Sequence, residues 1–460
     1  MDTADFKEEL LSLRQFFQSG ITRPYEWRRQ QLLLLRQAVL QHEGEIAAAL
    51  YTDLKKSPEE AYGTETGLVL AEISTVLRHL RGWMRPRRVQ TNLVNLPSRS
   101  KIYRDPLGTI LIIAPWNYPL QLALLPLVGA IAGGNNAVVK PSELAPATAV
   151  LIGKMLGVIF PPDFVRVVQG DGAEVVPALM RGFPFDHVFF TGSIPVGRSI
   201  YQLAAEQLVP VTLELGGKSP AVVEADADLP TAARRIVFGK FTNAGQTCIA
   251  PDYVLVNAAV RDGLLAEMQV AIRSFYGEKA ENSADYGRII NEKRFDKLVS
   301  YLSQGRIVAG GRTDRDEKFI EPTILAGVSP DQPLMNEEIF GPILPVIEFR
   351  NPEEALAIIR RNPNPLAFYL FTKDTAKEKY WMERVSFGGG CVNNTEWHFA
   401  NHHLPFGGIG QSGIGAYHGR YSYETFTHAK PVMRTPTFID PSIKYPPFKG
   451  KMKWFKLFLR

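Results

Sequence analysis

The region between Thr109 and Thr191 alternates short β-branched runs with stretches of helical length, and this alternation restricts the fold more than any other feature. The runs span residues 110–114, 137–140, 164–169 and 187–191. Because parallel strands need crossover helices between them, the pattern predicts a parallel sheet with helices on both faces. Ligands of such sheets bind outside the carboxyl ends of the strands, so a site is expected among the residues that follow each run.

A second strand–helix series begins after Pro210 and predicts a second α/β domain. Its strands are predicted at residues 211–214, 221–224, 253–257, 343–348 and 367–371, and its first helices at 230–242 and 260–276. The first part of the chain is predicted to be helical, with amphipathic helices at residues 27–54 and 67–83. The apolar stretch 119–134 is too short to cross a bilayer and predicts a buried helix.

Composition excludes several classes of protein. The chain has 460 residues, 45% of them hydrophobic and 22% charged, which is typical of a globular protein with two or three domains and excludes wholesale disorder. Two cysteines cannot form a disulfide scaffold and indicate a reducing, cytoplasmic location. A net charge of +5 is a small excess, so nucleic acid is not an expected partner. The acidic N-terminus does not resemble a secretory signal.

Polar and glycine-bearing loops follow the predicted strands of the first series. The loop from Thr191 through Gly192 and Ser193 to Gly197 opens a helix, and a helix N-terminus can receive a pyrophosphate through its backbone N–H groups. This spacing differs from GxGxxG, so a nucleotide would bind in a variant manner, and a plain strand–helix turn is the alternative.

Two further residue types suggest chemistry. Glu214 lies in an apolar strand, where desolvation would raise its pKa and make it a candidate general base. Cys248 follows a small, polar loop, and we expect a partly exposed thiol whose pKa is lowered if a helix begins nearby. The alternative for Cys248 is a buried, inert cysteine, and that is the interpretation we give to Cys391.

Motifs in this sequence resemble those of the NAD(P)-dependent aldehyde dehydrogenase superfamily, in family order, and the resemblance runs from about residue 10 to about residue 430. The motifs are PWNYP at 115–119, KPSE at 140–143, FTGS at 190–193, LELGGK at 213–218, GQTC at 245–248 and EIFGP at 338–342. The LPFGG stretch at 404–408, with Tyr417-His418-Gly419, resembles the class 3 and fatty aldehyde dehydrogenase branch.

The resemblance implies an α/β aldehyde dehydrogenase fold, with a variant Rossmann parallel-sheet cofactor domain, an α/β catalytic domain and a small bridging or oligomerisation segment. The implied division is a nucleotide-binding domain at 1–84 and 106–209, a catalytic domain at 210–392, bridging segments at 85–105 and 393–430, and a tail at 431–460. A homodimer formed through the bridging and C-terminal regions is implied as well.

The resemblance also assigns catalytic roles. Cys248 would attack the aldehyde carbonyl to give a thiohemiacetal, while the Asn117 amide and the Cys248 backbone N–H hold the oxyanion. Hydride transfer to NAD or NADP would leave a thioester, and Glu214 would activate the water that hydrolyses it to a carboxylic acid.

The implied nucleotide site draws on most of the strand-end loops, and no metal ligand is assigned. Lys140 and Glu143 would bind the adenosine ribose, Ser193 a phosphate, and Glu338 the nicotinamide ribose. Phe340 would pack near the nicotinamide and Gly216 would leave room for it. The remaining members of the predicted set are Pro115, Trp116, Ser142, Thr191, Gly192, Gly197 and Leu215.

The stretch NTEWHFANHH at 394–403 departs from the class 3 pattern, in a region that lies near the substrate entrance in the family. Trp397 and Phe399 would form an apolar wall there. His398 and His402 have helical spacing, which invites a metal site, but we expect no acidic or thiol ligand beside them and favour a structural or entrance-lining role.

The end of the chain, KGKMKWFKLFLR at 449–460, alternates basic with apolar residues. This composition suits a peripheral contact with an anionic membrane surface, and the alternative is docking onto the protein's own surface. The hypothesis is therefore a medium- or long-chain aliphatic aldehyde taken from a membrane.

Two alternatives to aldehyde oxidation stay open at this stage. One is a relative that releases a thioester or reduces an acyl phosphate, which would use the cysteine without a hydrolytic base. The other is a binding or structural protein that keeps the fold without turnover. The presence of Cys248, Asn117 and Glu214 together favours the oxidation.

Overall fold

The computed structural model describes residues 3–459, and their side chains from residue 10 onward. The helices are α1 (Thr3–Gln18), α2 (Tyr25–Gln41), α3 (Glu43–Leu54), α4 (Pro58–Ala61), α5 (Gly67–Trp83), α6 (Pro119–Gly133), α7 (Pro146–Ile159), α8 (Gly172–Gly182), α9 (Ile194–Ala205), α10 (Leu229–Phe241), α11 (Arg261–Tyr276), α12 (Glu292–Val299), α13 (Pro352–Ile359), α14 (Thr375–Arg384), α15 (Arg420–Thr425) and α16 (Met452–Phe458).

The strands fall into two large sheets, one three-stranded sheet and one short hairpin. They are β1 (Arg87–Val89), β2 (Arg99–Pro106), β3 (Thr109–Ile113), β4 (Asn136–Lys140), β5 (Val165–Val167), β6 (His187–Gly192), β7 (Val211–Leu215), β8 (Pro220–Val223), β9 (Tyr253–Asn257), β10 (Arg306–Ala309), β11 (Thr313–Asp314), β12 (Phe319–Ile320), β13 (Thr323–Ala326), β14 (Ile343–Phe349), β15 (Ala367–Phe371), β16 (Gly389–Val392), β17 (Gly413–Ile414) and β18 (Thr427–Arg434).

The first large sheet confirms the parallel sheet predicted from the strand–helix alternation. Its strand order is β17-β7-β6-β3-β4-β5, and all neighbours are parallel except β17 and β7. Strands β3 and β4 are buried along their whole length, as expected for a sheet covered on both faces. The chain builds β4 and β5 on one side of β3 and β6 and β7 on the other, which leaves a crevice at the carboxyl ends of β3 and β6.

The prediction that residues 211–214 open the second series is wrong. Strand β7 pairs in parallel with β6, with Thr191 opposite Glu214, and therefore belongs to the first sheet. The crossover through α9 has the same form whether the next strand extends the old sheet or begins a new one. The sequence pattern could not distinguish these two arrangements.

The second large sheet contains the other predicted strands of the second series. Its order is β10-β13-β14-β9-β8-β15-β16, and it is parallel except at β10. The predictions at 221–224, 253–257, 343–348 and 367–371 are thereby confirmed. The division of the chain into domains stays a prediction.

The helix predicted at residues 27–54 is in fact two helices. The chain leaves helical geometry at His42, whose Nδ1 lies 2.8 Å from the carbonyl oxygen of Ala38, and α3 begins at the next residue. Apolar periodicity continues across the break, so it gave no signal. The predictions of a helix at 67–83 and of a buried helix at 119–134 are confirmed.

The third sheet brings together segments from distant parts of the chain. Strand β2 pairs with β1 and, from Thr427 opposite Pro106 to Arg434 opposite Arg99, with β18. Beyond β18 the chain runs exposed to α16, which has no buried residue. Between residues 3 and 459, no helix is long and apolar enough to cross a membrane.

Glu72 links α5 to the loop before α15. Its Oε1 accepts a hydrogen bond of 2.7 Å from the backbone N–H of Gly419, and burial raises its pKa to about 7. Since the carboxyl keeps its proton in the fold at a pH where the unfolded chain has lost it, folding becomes less favourable as the pH rises from about 4.5 to about 7.

We predict that Glu72→Gln removes this loss, because the amide oxygen still accepts from Gly419 and carries no charge. The variant should melt at a higher temperature than the wild type at pH 8, by an amount equivalent to at most about 3 kcal/mol, and at nearly the same temperature at pH 5. Differential scanning calorimetry at both pH values measures this. An equal shift at both would contradict it.

Candidate active site

Cys248 lies in the loop between α10 and β9, on a wall shared by two cavities. The apolar cavity is lined mainly by hydrophobic side chains, among them Leu122, Phe238 and Ile249. The strand-end cavity, about 550 Å³, lies at the carboxyl ends of the first sheet. Thr191, Glu214 and Cys248 line both cavities, so the two spaces meet at the sulfur.

The loop before Cys248 has an unusual backbone. Asn243, Ala244 and Gly245 all have left-handed φ values, of 52°, 50° and 73°. A Cβ on Gly245 would lie 2.4 Å from the carbonyl oxygen of Gly341, so this position requires glycine. Conformations of this kind are costly for residues such as Ala244 and persist only where the surroundings enforce them.

The side chain of Gln246 holds much of this backbone in place through hydrogen bonds. Its side-chain nitrogen donates to the carbonyls of Asn243 and Arg288, at 3.0 and 2.9 Å, and its side-chain oxygen accepts from the N–H of Ile290 at 3.0 Å. The polar atoms of this buried amide are therefore satisfied, and two loops are fixed on either side of Cys248.

Cys248 is partly exposed, as predicted, but the condition that we set for a lowered pKa of its thiol is not met. No helix begins at Cys248, so no helix N-terminus stabilises a thiolate. Burial raises the pKa of the Cys248 thiol, and the carboxyl groups of Glu338, Glu214 and Glu396 raise it further. In the protein alone, the sulfur therefore carries its proton at neutral pH.

Glu214 projects from β7 and is 2% exposed. Neither carboxyl oxygen has a hydrogen-bond partner among residues 10–459. Burial raises the pKa of Glu214 well above the ordinary value for a carboxyl group, as the sequence predicted. The side chain can therefore hold a proton at the junction of the two cavities and exchange it with a polar group that enters.

Asn117 follows β3 and is held on both sides. Its side-chain nitrogen donates to the carbonyl of Gln246 at 3.0 Å, which uses one of its two N–H bonds. The backbone carbonyl of Asn117 accepts hydrogen bonds from Lys56 Nζ at 3.0 Å and from the side-chain amide of Asn243 at 2.8 Å. These contacts fix Asn117 next to the Cys248 loop.

Lys56 is in turn paired with Glu65, at 2.6 Å, and both side chains are fully buried. The second oxygen of Glu65 accepts from the N–H groups of Leu120 and Gln121, in the first turn of α6. Sequence reasoning missed this pair, because isolated charged residues in a helical region are ordinarily solvated. Residues 55–66 contain several other charged side chains, so the sequence offered no signal that singled out Lys56 and Glu65.

The strand-end cavity collects most of the predicted nucleotide residues. It is lined by Pro115, Trp116, Thr191, Gly192, Ser193, Leu215, Gly216, Glu338 and Phe340. A Cβ at Gly216 would lie 2.0 Å from Glu338 Oε2, so the absence of a side chain makes room for the Glu338 carboxyl group. With Ser193 exposed at the start of α9, the cavity fits a dinucleotide whose phosphates face a helix N-terminus.

Four predicted nucleotide residues do not line this cavity. Lys140 ends β4, and Ser142 and Glu143 follow it. Because β4 neighbours β3, these residues lie along the same sheet edge, where Lys140 Nζ contacts the Glu143 carboxylate. Gly197 faces inward from α9, where a Cβ would lie 2.4 Å from Leu215 Cδ2. It therefore allows close packing of the helix on β7.

Glu338 and Phe340 also line the strand-end cavity. The Phe340 ring meets Trp116 edge to face, with centroids 5.3 Å apart. Burial raises the pKa of Glu338 to about 8, and the neighbouring Asp252 raises it as well.

The stretch 394–403 lies at the mouth of the apolar cavity and is not helical, so His398 and His402 lack helical spacing. The expectation that no thiol lies beside His398 is wrong, since Cys391 Sγ is 3.6 Å from its Nδ1. Burial lowers the pKa of His398 to about 4. Among residues 10–459, no group of three or more His, Cys, Asp or Glu side chains could hold a metal ion.

Trp397 and Phe399 line the apolar cavity, where the sequence placed an apolar wall. The Trp397 ring is 59% exposed and stacks on Phe238 at 6.5 Å. The sequence reasoning passed over Glu396, which lines the same cavity next to them.

We predict that Glu338→Gln speeds alkylation of Cys248 at high pH. Above about pH 8 Glu338 is ionised and opposes the thiolate, so its removal lowers the thiol pKa and increases the reactive fraction by up to about tenfold. Below pH 7 the two proteins should react at similar rates.

The measurement is the rate of iodoacetamide labelling, followed by mass spectrometry from pH 7 to pH 9.5 without nucleotide. Both proteins carry Cys391→Ser, which leaves Cys248 as the reporting thiol. Equal rates across the range would contradict the electrostatic role of Glu338.

Comparison with known proteins places most of the chain in one group. Residues 3–432 match the model of the aldehyde dehydrogenase family. The chain is 46% identical to 4,4'-diaponeurosporen-aldehyde dehydrogenase of Staphylococcus aureus over 456 residues, with 99% of each chain covered. It is 43% identical to aldehyde dehydrogenase family 3 member A2 of Rattus norvegicus over 456 residues, with 98% of this chain and 94% of that one covered.

Solved structures show the same similarity. The substrate-bound state of Staphylococcus aureus AldH superposes with a TM-score of 0.97 at 46% identity, covering 99% of both chains. An indole-3-acetaldehyde dehydrogenase complexed with NAD+ superposes with a TM-score of 0.86 at 28% identity, covering 95% of this chain and 90% of that one.

Proposed function

The chain belongs to the aldehyde dehydrogenase family and is an NAD(P)-dependent oxidoreductase, and from this premise we propose that it oxidises medium- or long-chain aliphatic aldehydes to carboxylic acids through Cys248. One observation carries the proposal. Cys248 and Glu214 lie where an apolar cavity meets a cavity that fits a dinucleotide. An aldehyde in the first cavity and a nicotinamide in the second would therefore meet at the sulfur.

In the proposed mechanism, Cys248 attacks the aldehyde carbon to form a thiohemiacetal. As the C–S bond forms, the thiol proton of Cys248 is released to water, and Glu214 is not needed for this step. The second N–H of Asn117 and the backbone N–H of Cys248 stabilise the oxyanion, and one such donor is typically worth about 3–4 kcal/mol of barrier. NAD(P)+, when bound, supplies the hydride acceptor.

Loss of hydride leaves a thioester on Cys248, which water must hydrolyse to regenerate the thiol. Glu214 shares both cavity walls with the sulfur and, in its ionised form, is a strong base that takes the proton of that water. This arrangement favours release of a free acid over release of a thioester, which would need no base.

The nucleotide would be held by the residues of the strand-end cavity. We assign its phosphates to Ser193 and the N-terminus of α9, its nicotinamide end to Glu338 and Phe340, and its adenosine ribose to Lys140 and Glu143. Gly216 leaves room for the Glu338 carboxyl group, which would hold the nicotinamide end.

The preference for an aliphatic chain rests on the walls of the apolar cavity. Leu122, Phe238, Ile249 and Phe399 present hydrocarbon to the substrate, and each buried methylene group contributes about 0.8 kcal/mol. Affinity should therefore increase with chain length until the cavity is filled.

We predict that Cys248→Ala abolishes aldehyde oxidation and leaves nucleotide binding within about twofold, because the sulfur does not hold the nucleotide. Glu214→Gln should instead give one rapid turnover of NADH and then stall as an acyl-enzyme. Stopped-flow absorbance measures the burst, and mass spectrometry detects the adduct on Cys248. Rapid deacylation in Glu214→Gln would remove Glu214 from its role as base.

We further propose that the C-terminal tail contacts an anionic membrane surface. Met452, Trp454, Leu457 and Leu459 are all exposed, and lysines alternate with them along α16. Such a segment gains apolar burial and up to about 1 kcal/mol for each basic residue at an anionic surface. The exposure of these side chains speaks against docking on the protein's own surface.

We predict that the full-length protein co-sediments with phosphatidylglycerol vesicles and that a chain truncated before Lys449 does not. Binding should weaken in high salt and be weak to phosphatidylcholine vesicles, because part of the attraction is electrostatic. Equal, negligible sedimentation of both chains would end the membrane proposal and leave the catalytic one untouched.

A homodimer is our proposal for the assembly. Strand β18 is the outer strand of its sheet, and all of its residues after Thr427 are exposed. An unpaired strand edge of this length is a natural surface for a second copy of the chain.

A further inference from the structure

Glu396 is one of two carboxyl-bearing residues that line the mainly apolar cavity, the other being Glu214. It lines that cavity together with Cys248, Leu122 and Phe238. Its Oε1 is buried and has no hydrogen-bond partner among residues 10–459. Burying a polar atom without a hydrogen-bond partner costs free energy, so we expect the carboxyl group of Glu396 to have a function.

The backbone at Glu396 is also costly. Its φ is 57°, in the left-handed region that a residue with a long side chain rarely adopts. The preceding Thr395 donates through Oγ1 to the carbonyl of Arg235 at 2.6 Å, which ties the turn to α10. Strain that the surrounding structure maintains is characteristic of functional positions.

Helix α10 has a glycine, Gly239, where it packs against this turn. A Cβ on Gly239 would lie 2.5 Å from Thr395 Oγ1 and 3.4 Å from Glu396 Cγ. Arg235, one turn earlier, also contacts the carbonyl of Asn393. The turn is thus fitted against the helix, with the Glu396 side chain directed along the cavity wall.

The charge state of Glu396 decides what it can bind. Burial raises its pKa to about 8, Glu60 raises it as well, and Lys240 opposes them. At neutral pH the group is therefore mostly a neutral carboxylic acid, which can donate one hydrogen bond and accept others. A neutral carboxylic acid is therefore better suited to bind a hydroxyl group than to bind a cation.

We propose that Glu396 is a specificity-determining residue that hydrogen-bonds a hydroxyl group carried on the chain of the aldehyde substrate. The inference rests on the proposed function, since it takes the apolar cavity as the aldehyde site. The hydrocarbon walls hold the methylene groups, and a hydroxyl at the depth of Glu396 satisfies the buried Oε1. A plain alkyl chain leaves that atom unpaired, and sites of this kind discriminate against the analogue that lacks the polar group.

The test compares straight-chain alkanals from heptanal to decanal with their ω-hydroxy counterparts. The quantity is the ratio of kcat/KM for the hydroxyaldehyde to that for the alkanal of equal length, measured for wild type, Glu396→Gln and Glu396→Leu. At the length that brings the hydroxyl to Glu396, the wild-type ratio should exceed that of the leucine variant by about tenfold. Glutamine keeps a donor and an acceptor, so its ratio should lie close to the wild-type value.

Thr242→Val is the matched control. Thr242 lines the same cavity, but its hydroxyl already donates to the carbonyl of Phe238 at 2.8 Å. Its removal should leave the ratio unchanged. Melting temperature and nucleotide affinity, measured for every variant, establish that each one folds.

A second measurement needs no turnover. Calorimetric titration of the full chain with alkanols and with the matching α,ω-diols reports the same hydroxyl contact. The diol should bind more tightly to the wild type, and this advantage should be lost in Glu396→Leu. The inference would be overturned if, at every chain length, wild type and Glu396→Leu gave the same kcat/KM ratio of hydroxyaldehyde to alkanal and the same affinity ratio of diol to alkanol. Failure of the wild type to oxidise any alkanal would instead contradict the proposed function.

Discussion

The hydrogen bonds around Gln246 hold the site together. Its side chain ties the Cys248 loop to the neighbouring segment that ends at Ile290, and its backbone carbonyl accepts from Asn117, which follows a strand of the other large sheet. Asn243 adds a parallel tie to the carbonyl of Asn117. These hydrogen bonds fix Asn117 relative to the sulfur of Cys248, although the two residues belong to different parts of the fold. Catalysis by positioned groups requires such a fixed geometry.

Burial that outweighs the nearby charges is the second property that shapes the site. Glu214, Glu338 and Glu396 all have raised pKa values because they are desolvated. The thiol of Cys248 is kept protonated by the same cause. In the absence of ligands the site therefore carries little net charge, and the arrival of a polar or charged ligand changes several protonation equilibria at once.

Sequence reasoning succeeded where a local pattern determines the structure. The parallel strands, the helix at 67–83 and the buried helix at 119–134 all follow from periodicity and length. It failed where a distant contact decides. The break at His42, the sheet to which residues 211–214 belong, and the pKa of Cys248 depend on neighbours that are far away in the chain.

The same limit applies to the site. The resemblance supplied Cys248, Glu214 and Asn117, and most of the predicted nucleotide residues do line one cavity. It did not supply Lys56, Glu65 or Glu396, because their importance comes from burial and from partners that only the folded chain provides.

The pairing of β18 with β2 has a consequence for biogenesis. Strand β2 is the central strand of the third sheet, and one of its two edges pairs with residues 427–434. These residues are synthesised more than three hundred positions after β2. The nascent chain must therefore leave the ribosome with one side of β2 open until synthesis is almost finished. Contacts of such long range close slowly. During that interval the open edge is exposed to aggregation, and holdase chaperones would have their greatest effect on the yield of this protein.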